Sequence, residues 1–376
     1  MHFTRTAAIS LFLLASASFQ GFSQEKTSLW KWLKDRAVTP AKALDPEAVY
    51  QPAPTFHIGI SGDLRRAGMS QKCQLTYGDE DIAETYVLTD LRGVPSTGIG
   101  LHMGYGNLSL AWHKKMGGEK KQDNKTFSFE YVNPGYSVQL QYFGFKKPIG
   151  YEVGVSRNGH NEVITSGETQ NPGHITAFIT DAFYSFNRSG FAYSAVYKGN
   201  VIQKRTAGSF MLGTKFIQGM IEYEPEELIS GMMLGLTRQA TVQASLGGGF
   251  SYNHVLLHHQ PGADGTGLRN LTLNATAIPM LTVVNRFVST IQRVSPEGNS
   301  LPEKNRTNGK MRLNYVAKVG AIYSLDHFFV SLTGGYDSFL YSGVTDVTAY
   351  DLLYEAINSS GRFFRWSTSL KFCVKF

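Results

Sequence analysis

Long apolar runs are what this chain most plainly lacks. Beyond its first two dozen residues no stretch of eighteen apolar residues occurs anywhere in the 376, so the mature chain is expected to carry no transmembrane helix, which needs about 20. Charge is sparse as well, at 17% of residues, while mean hydropathy is only −0.18. That combination excludes a helical membrane protein and leaves open a membrane β-barrel, in which half of every strand is polar. Cysteine is nearly absent. Cys73 and Cys373 are too few for a disulfide framework or a thiolate metal centre. Cys373 falls on the polar face of the last strand, whereas Cys73 shares its parity with the apolar Leu75 and Tyr77. The two are therefore expected on opposite sides of a wall and unpaired. The net charge of +7 and pI near 9.1 come without a basic run set in a nucleic-acid motif, so nucleic acid is not an expected partner. Cationic side chains beside anionic lipid headgroups account for the balance equally well.

The chain opens with Arg5 ahead of an apolar core from Ala7 to Ala17, then Gly21 and Ser23. This is the pattern of a secretory signal over residues 1–24. Residues 25–54 begin with "TSLWKWLKDRA", a short amphipathic helix that either lies on a membrane surface or packs on a barrel mouth. A Pro-rich periplasmic linker follows it. From residue 55 to 376 a period of two dominates, as in strands whose side chains alternate between faces. Ile99, Leu101, Met103 and Tyr105 oppose Gly98, Gly100, His102 and Gly104. Tyr315, Ala317, Val319 and Ala321 oppose Lys318 and Gly320. "RWSTSLKFCVKF" puts Trp366, Leu370, Phe372, Val374 and Phe376 on one face and Lys371, Cys373 and Lys375 on the other. With 24 Phe and 19 Tyr in the chain, several apolar stripes end in an aromatic, as in the girdles of a membrane barrel.

The fold expected is all-β: a closed antiparallel transmembrane barrel of the outer-membrane type, preceded by the short helix. An open edge in lipid would leave backbone groups unsatisfied, so the sheet should close. Short turns are expected at "GYGN", "KKP", "FNRSG" and "LDH", and long loops at 116–125, 158–173, 258–267 and 343–361. Thirteen candidate strands can be counted, but termini on one side require an even number. Twelve is the choice, fourteen the alternative, with the ambiguity lying between 218 and 310.

The sharpest local feature is "NRSGFAYSAVYKGNVIQKRTAGSFMLG", residues 187–213. Asn187, Phe191, Tyr193, Ala195, Gln203, Lys204, Ala207, Gly208, Ser209, Phe210 and Gly213 resemble the pattern of a family of Gram-negative outer-membrane proteins known as domain of unknown function 4421. Ala192, Ser194 and Thr206 depart from it, Ser194 standing where the family has Arg. The resemblance implies an outer-membrane location and no particular activity. Read physically, the segment is expected to form two adjoining wall strands, with Ala207, Gly208 and Ser209 leaving room inside.

No set of nucleophile, base and orienting group emerges from spacing. His254 and His258 share a face but lie roughly 13 Å apart at strand rise, Ser251 and His254 have opposite parity, and His113 reads as flanking a solvated loop. "SLGGGF" lacks the Lys-Ser/Thr pair of a phosphate loop. No catalytic, metal or cofactor residue is expected. Lys198, Lys318, Lys371 and Lys375 are the candidate lumen cations. Expected partners are outer-membrane lipids, lipopolysaccharide, and the assembly machinery that reads a C-terminal strand ending in Phe376. Three functions remain open: a narrow, anion-favouring pore, a filled structural barrel, and a lipid-modifying enzyme of the phospholipase or lipid A deacylase type.

Overall fold

The computed structural model describes residues 44–77, 84–93, 95–117, 123–157, 160–224, 228–259, 267–292, 302–346 and 354–376. The expected signal and amphipathic helix lie outside the described residues.

Twelve antiparallel strands close a ring. Its order is β2 (Phe56–Tyr77), β4 (Ser96–Tyr105), β5 (Leu108–Lys115), β6 (Asp123–Val132), β7 (Tyr136–Arg157), β8 (His160–Ser185), β10 (Ala207–Glu222), β11 (Leu236–His259), β12 (Arg269–Ile291), β14 (Leu313–Leu325), β15 (Phe328–Asp346) and β16 (Tyr354–Lys375). The β11–β12 and β16–β2 ladders complete it, so no edge is left open at the level of lipid. Two short strands extend ring members: β3 (Glu84–Arg92) leads into β4, and β13 (Glu303–Asn308) into β14. Below, "basal" denotes the end that bears Phe376 and "distal" the opposite end.

The wall thins toward the distal end. β5 and β6 are short, and beyond them β3 pairs directly with β7, from Glu84↔Ser156 to Asp90↔Gly150. β7 thus exchanges β6, last paired at Asp123↔Lys146, for β3 within four residues. The exchange falls on "KKP", expected as a turn. It is instead a strand irregularity at Pro148, where the missing N–H removes a ladder bond. The actual basal turn is Asn133–Gly135, where Asn133 Oδ1 accepts from the N–H groups of Gly135 and Tyr136. Two expected loops, 158–173 and 343–361, lie largely within long hairpins. The third, 258–267, joins β11 to β12 at the basal end rather than the distal one.

The hydrophobic face reverses partway along the strands. In β2, Ile58, Ile60 and Leu64 point outward and are exposed, while His57, Ser61 and Asp63 point inward. Distal to them Ala67, Met69, Cys73 and Leu75 point inward and are buried, while Ser70 and Lys72 point outward. The paired strand β16 reverses at the same height. Leu370 and Phe372 face out basally, and Phe363 and Ile357 face in distally. The basal segment therefore has the pattern of a wall in lipid, and the distal segment that of a wall in water with its own core. That core packs Phe143, Phe145, Phe339 and Phe363 across the interior, with the Phe143 and Phe363 ring centroids 6.0 Å apart. Cys73 points inward because the distal interior is apolar. Cys373 also points inward, but it pairs with Gly59, fourteen residues from Cys73 along β2, and both thiols are free.

The segment between β8 and β10 enters the ring instead of forming wall. Phe191, Ala192, Tyr193, Ser194, Ala195 and Val196 are all buried, on both parities. A wall strand would show half of them to lipid. Tyr193 precedes a five-residue helix, α1 (Ser194–Lys198), ended by Gly199 at φ 65°, where a Cβ would lie 2.8 Å from the Phe329 ring. Only glycine meets both the left-handed conformation and the contact. β9 (Ile202–Gln203) then pairs with β1 (Val49–Tyr50) from the end of the expected linker.

Candidate functional site

The motif residues are the fasteners of this plug. Gln203 is fully buried and satisfied: Oε1 accepts from the Ala192 N–H (2.9 Å) and from Asn253 Nδ2 (3.2 Å), and Nε2 donates to the Gly190 (2.7 Å) and Ala48 (3.2 Å) carbonyls. Asn187 donates from Nδ2 to the Gly208 carbonyl (3.0 Å) and from its backbone N–H to Ser209 Oγ (2.9 Å). Lys204 Nζ donates to the Pro46 carbonyl (2.8 Å). Phe191 and Tyr193 fill the interior beside Phe183, Met211 and Ile278. Of the expected wall, only the stretch from Ala207 to Gly213 stands in a ring strand, β10, with Phe210 outward and exposed. The expectation of two wall strands is thus corrected. Small Ala192 and Ser194 let the chain coil inside the lumen, where apolar residues of either parity find cover.

The interior is bridged at two levels above the plug. Distally, Gln71 bonds Gln239, whose Nε2 donates to Ser359 Oγ (2.8 Å), within the apolar core. Below that, fully buried Lys215 pairs with Asp181 (2.9 Å) and Asp337 (2.7 Å), and Asp337 pairs with Arg365 (2.5 Å), which also bonds Gln141 on the far wall. Between this ionic bridge and the plug lies a polar chamber of about 220 Å³. His57, His102, His113, Glu130, Lys198, Lys318 and Lys371 are among its lining residues.

The candidate lysines occupy distinct places here. Lys198, on α1, reaches Glu130 and Ser109. Lys318 donates to Gln139 Oε1 (3.3 Å) with its ammonium over the Phe183 ring. Lys371 donates to the Tyr197 carbonyl (3.0 Å), and Lys375, nearer the basal rim, to the Leu325 carbonyl (3.4 Å). Alternation in β2, β4 and β5 brings in a cluster that sequence reading passed over. His113 Nδ1 donates to Asp63 (2.7 Å), Ser61 Oγ to Asp63 (3.1 Å), and His102 Nε2 lies 2.9 Å from Ser61 Oγ. His113 is therefore a wall residue, not a loop flank. The signal was Gly100 on the parity of His102: a Cβ there would sit 2.4 Å from both Ser61 Oγ and His113 Nδ1. Ser61 is buried behind these rings and already donates to Asp63.

None of the curated proteins matches the chain in sequence. Solved structures similar to it include the outer membrane protease OmpT from Escherichia coli, at 9% identity and TM-score 0.43 over 86% of this chain and 97% of that one. The beta domain of the Bordetella autotransporter BrkA is 9% identical, with TM-score 0.26 over 82% and 98%. The toluene transporter TodX from P. putida is 7% identical, with TM-score 0.21 over 85% and 90%. At such values none of the three bears on what the chain does. The family model described as domain of unknown function (DUF4421) matches residues 76–357, well over half of the sequence, and the chain belongs to that family.

Proposed function

We propose that the protein is an outer-membrane barrel of a Gram-negative envelope with its basal end in the periplasm, and that it is a filled structural barrel rather than an open pore. The observation that supports this reading is the triple filling of the interior: the plug at the basal end, the Lys215 bridge above it, and the apolar core across the distal half. The lipid-facing band from Trp366 on β16 to Phe376 just beyond it matches the roughly ten residues a tilted strand needs to cross a bilayer. Phe376 is 71% exposed on that face, with its ring 6.4 Å from that of Phe56 and its N–H bonded to the Phe56 carbonyl (2.8 Å). Such an end is available to the assembly machinery.

Planar-bilayer recording of the refolded mature chain tests the reading. The expected result is an inserted, heat-modifiable barrel without steady openings. Openings with anion preference, reversed by Lys318→Glu and Lys371→Glu, would establish the pore instead.

A further inference from the structure

The chamber holds more positive charge than its carboxylates balance. Among the described residues, four carboxylates reach into this part of the lumen, and each has a cationic partner: Asp63 with Arg65, Glu130 with Lys198, and Asp181 and Asp337 with Lys215 and Arg365. Lys318 and Lys371 remain. Among the described residues neither lies within ion-pairing distance of a carboxylate, and each amine has one neutral oxygen partner, on Gln139 and Tyr197 respectively. An ammonium carries three donors, and beyond its oxygen partner each amine lies over a ring face, Phe183 for Lys318 and Phe329 for Lys371. An uncompensated charge away from bulk water is costly unless an opposite charge joins it. The hydroxyl of Tyr193, a residue only 4% exposed, lines the same cavity and has no hydrogen-bond partner.

We propose that the chamber is a binding site for a small divalent oxyanion, phosphate or a phosphate monoester, held between Lys318 and Lys371 with the Tyr193 hydroxyl as a further donor. Two ammonium groups match a dianion in charge. The volume of about 220 Å³ is several times the roughly 30 Å³ share of one water in the liquid, enough for a tetrahedral oxyanion and some of its hydration. The same chemistry belongs to a free phosphate and to a lipid headgroup phosphate. The proposal rests on the lumen being closed as read above, and bilayer conductance tests that separately.

Isothermal titration of the refolded full chain in zwitterionic micelles decides it, with inorganic phosphate in one arm and diphosphorylated lipid A in the other. Heat-modifiability on gels verifies the fold of every variant. Saturable binding of either probe is expected, weakened at least tenfold by Lys318→Met and by Lys371→Met separately, and unchanged in the distal surface variant Lys304→Met. Chloride should compete poorly, since one negative charge leaves one ammonium unmatched. Binding of phosphate assigns a free solute, and binding of lipid A alone assigns a headgroup. If Tyr193→Phe, which keeps the packing, also weakens binding, the donor set is as proposed. No binding in either arm, or binding that survives both lysine substitutions in a folded barrel, overturns the proposal.

Discussion

Lys215 is the side chain on which the interior most depends. It is fully buried, and its ammonium faces Asp181 and Asp337 with the Phe339 ring 4.8 Å away. Lys215→Met would leave two carboxylates without it in a dry site. Removing one member of a buried ionic set costs about 3–5 kcal/mol, so denaturant unfolding in micelles should show a loss of that order. The variant that also carries Asp181→Asn should recover part of it. Gly199 is a second such position. Gly199→Val meets both a left-handed backbone, costing about 1–2 kcal/mol, and the Phe329 ring. Raised protease sensitivity confined to residues 190–204 of the folded barrel would be the readout. Neither residue stands out in the sequence. Lys215 alternates between apolar neighbours in "MLGTKFIQG" like any wall residue, and its partners lie on strands distant in the chain.

At the scale of the strand, the reversal of the hydrophobic face is the feature with the clearest test. Leu370 and Asn358 share parity on β16 and both point outward, but they lie on opposite sides of the reversal. Leu370→Arg places a charge in the lipid band and should cost about 2–4 kcal/mol in vesicle-based unfolding. Asn358→Arg lies in water and should stay within about 0.5 kcal/mol. Equal costs would show that the lipid boundary does not fall between them. Deletion of Phe376 should lower insertion in cells while leaving refolding into detergent intact, since one exposed ring adds little to the packed ring of strands. Equal loss in both settings would make it a stability residue only. These assignments were half legible. Alternation marks a strand, but the parity of Met69, Cys73 and Leu75 gives no hint that they face in, because an apolar set faces lipid in one half of the wall and the lumen in the other.

For the whole molecule, two of the three fillings, the plug and the distal core, make a joint prediction. Gln203→Ala removes the side chain that ties Ala192, Asn253, Gly190 and Ala48 together and leaves several buried groups unmatched, at about 1–3 kcal/mol each. The plug should loosen, yet the barrel should remain silent in bilayer recordings, because the distal core closes the lumen independently. Steady openings in this variant alone would show that the plug is the seal. Phe145→Ala, in the distal core, should cost about 3–5 kcal/mol as a buried aromatic truncation, where a merely lipid-facing ring would cost less.

Local alternation by itself pointed to a closed antiparallel ring, because backbone groups in lipid must pair, but it counted thirteen candidate strands, and the strand pairing fixed the ring at twelve. The resemblance carried by residues 187–213 likewise led to the family. Only tertiary structure decided that those residues are plug rather than wall, since alternating small and aromatic residues suit a strand or a coil packed inside one. It also decided that Asp63, His102 and His113 meet, because strand neighbours around a ring are set by register and closure. And it decided where the apolar face turns inward, which depends on whether lipid or water bathes the outside at each height.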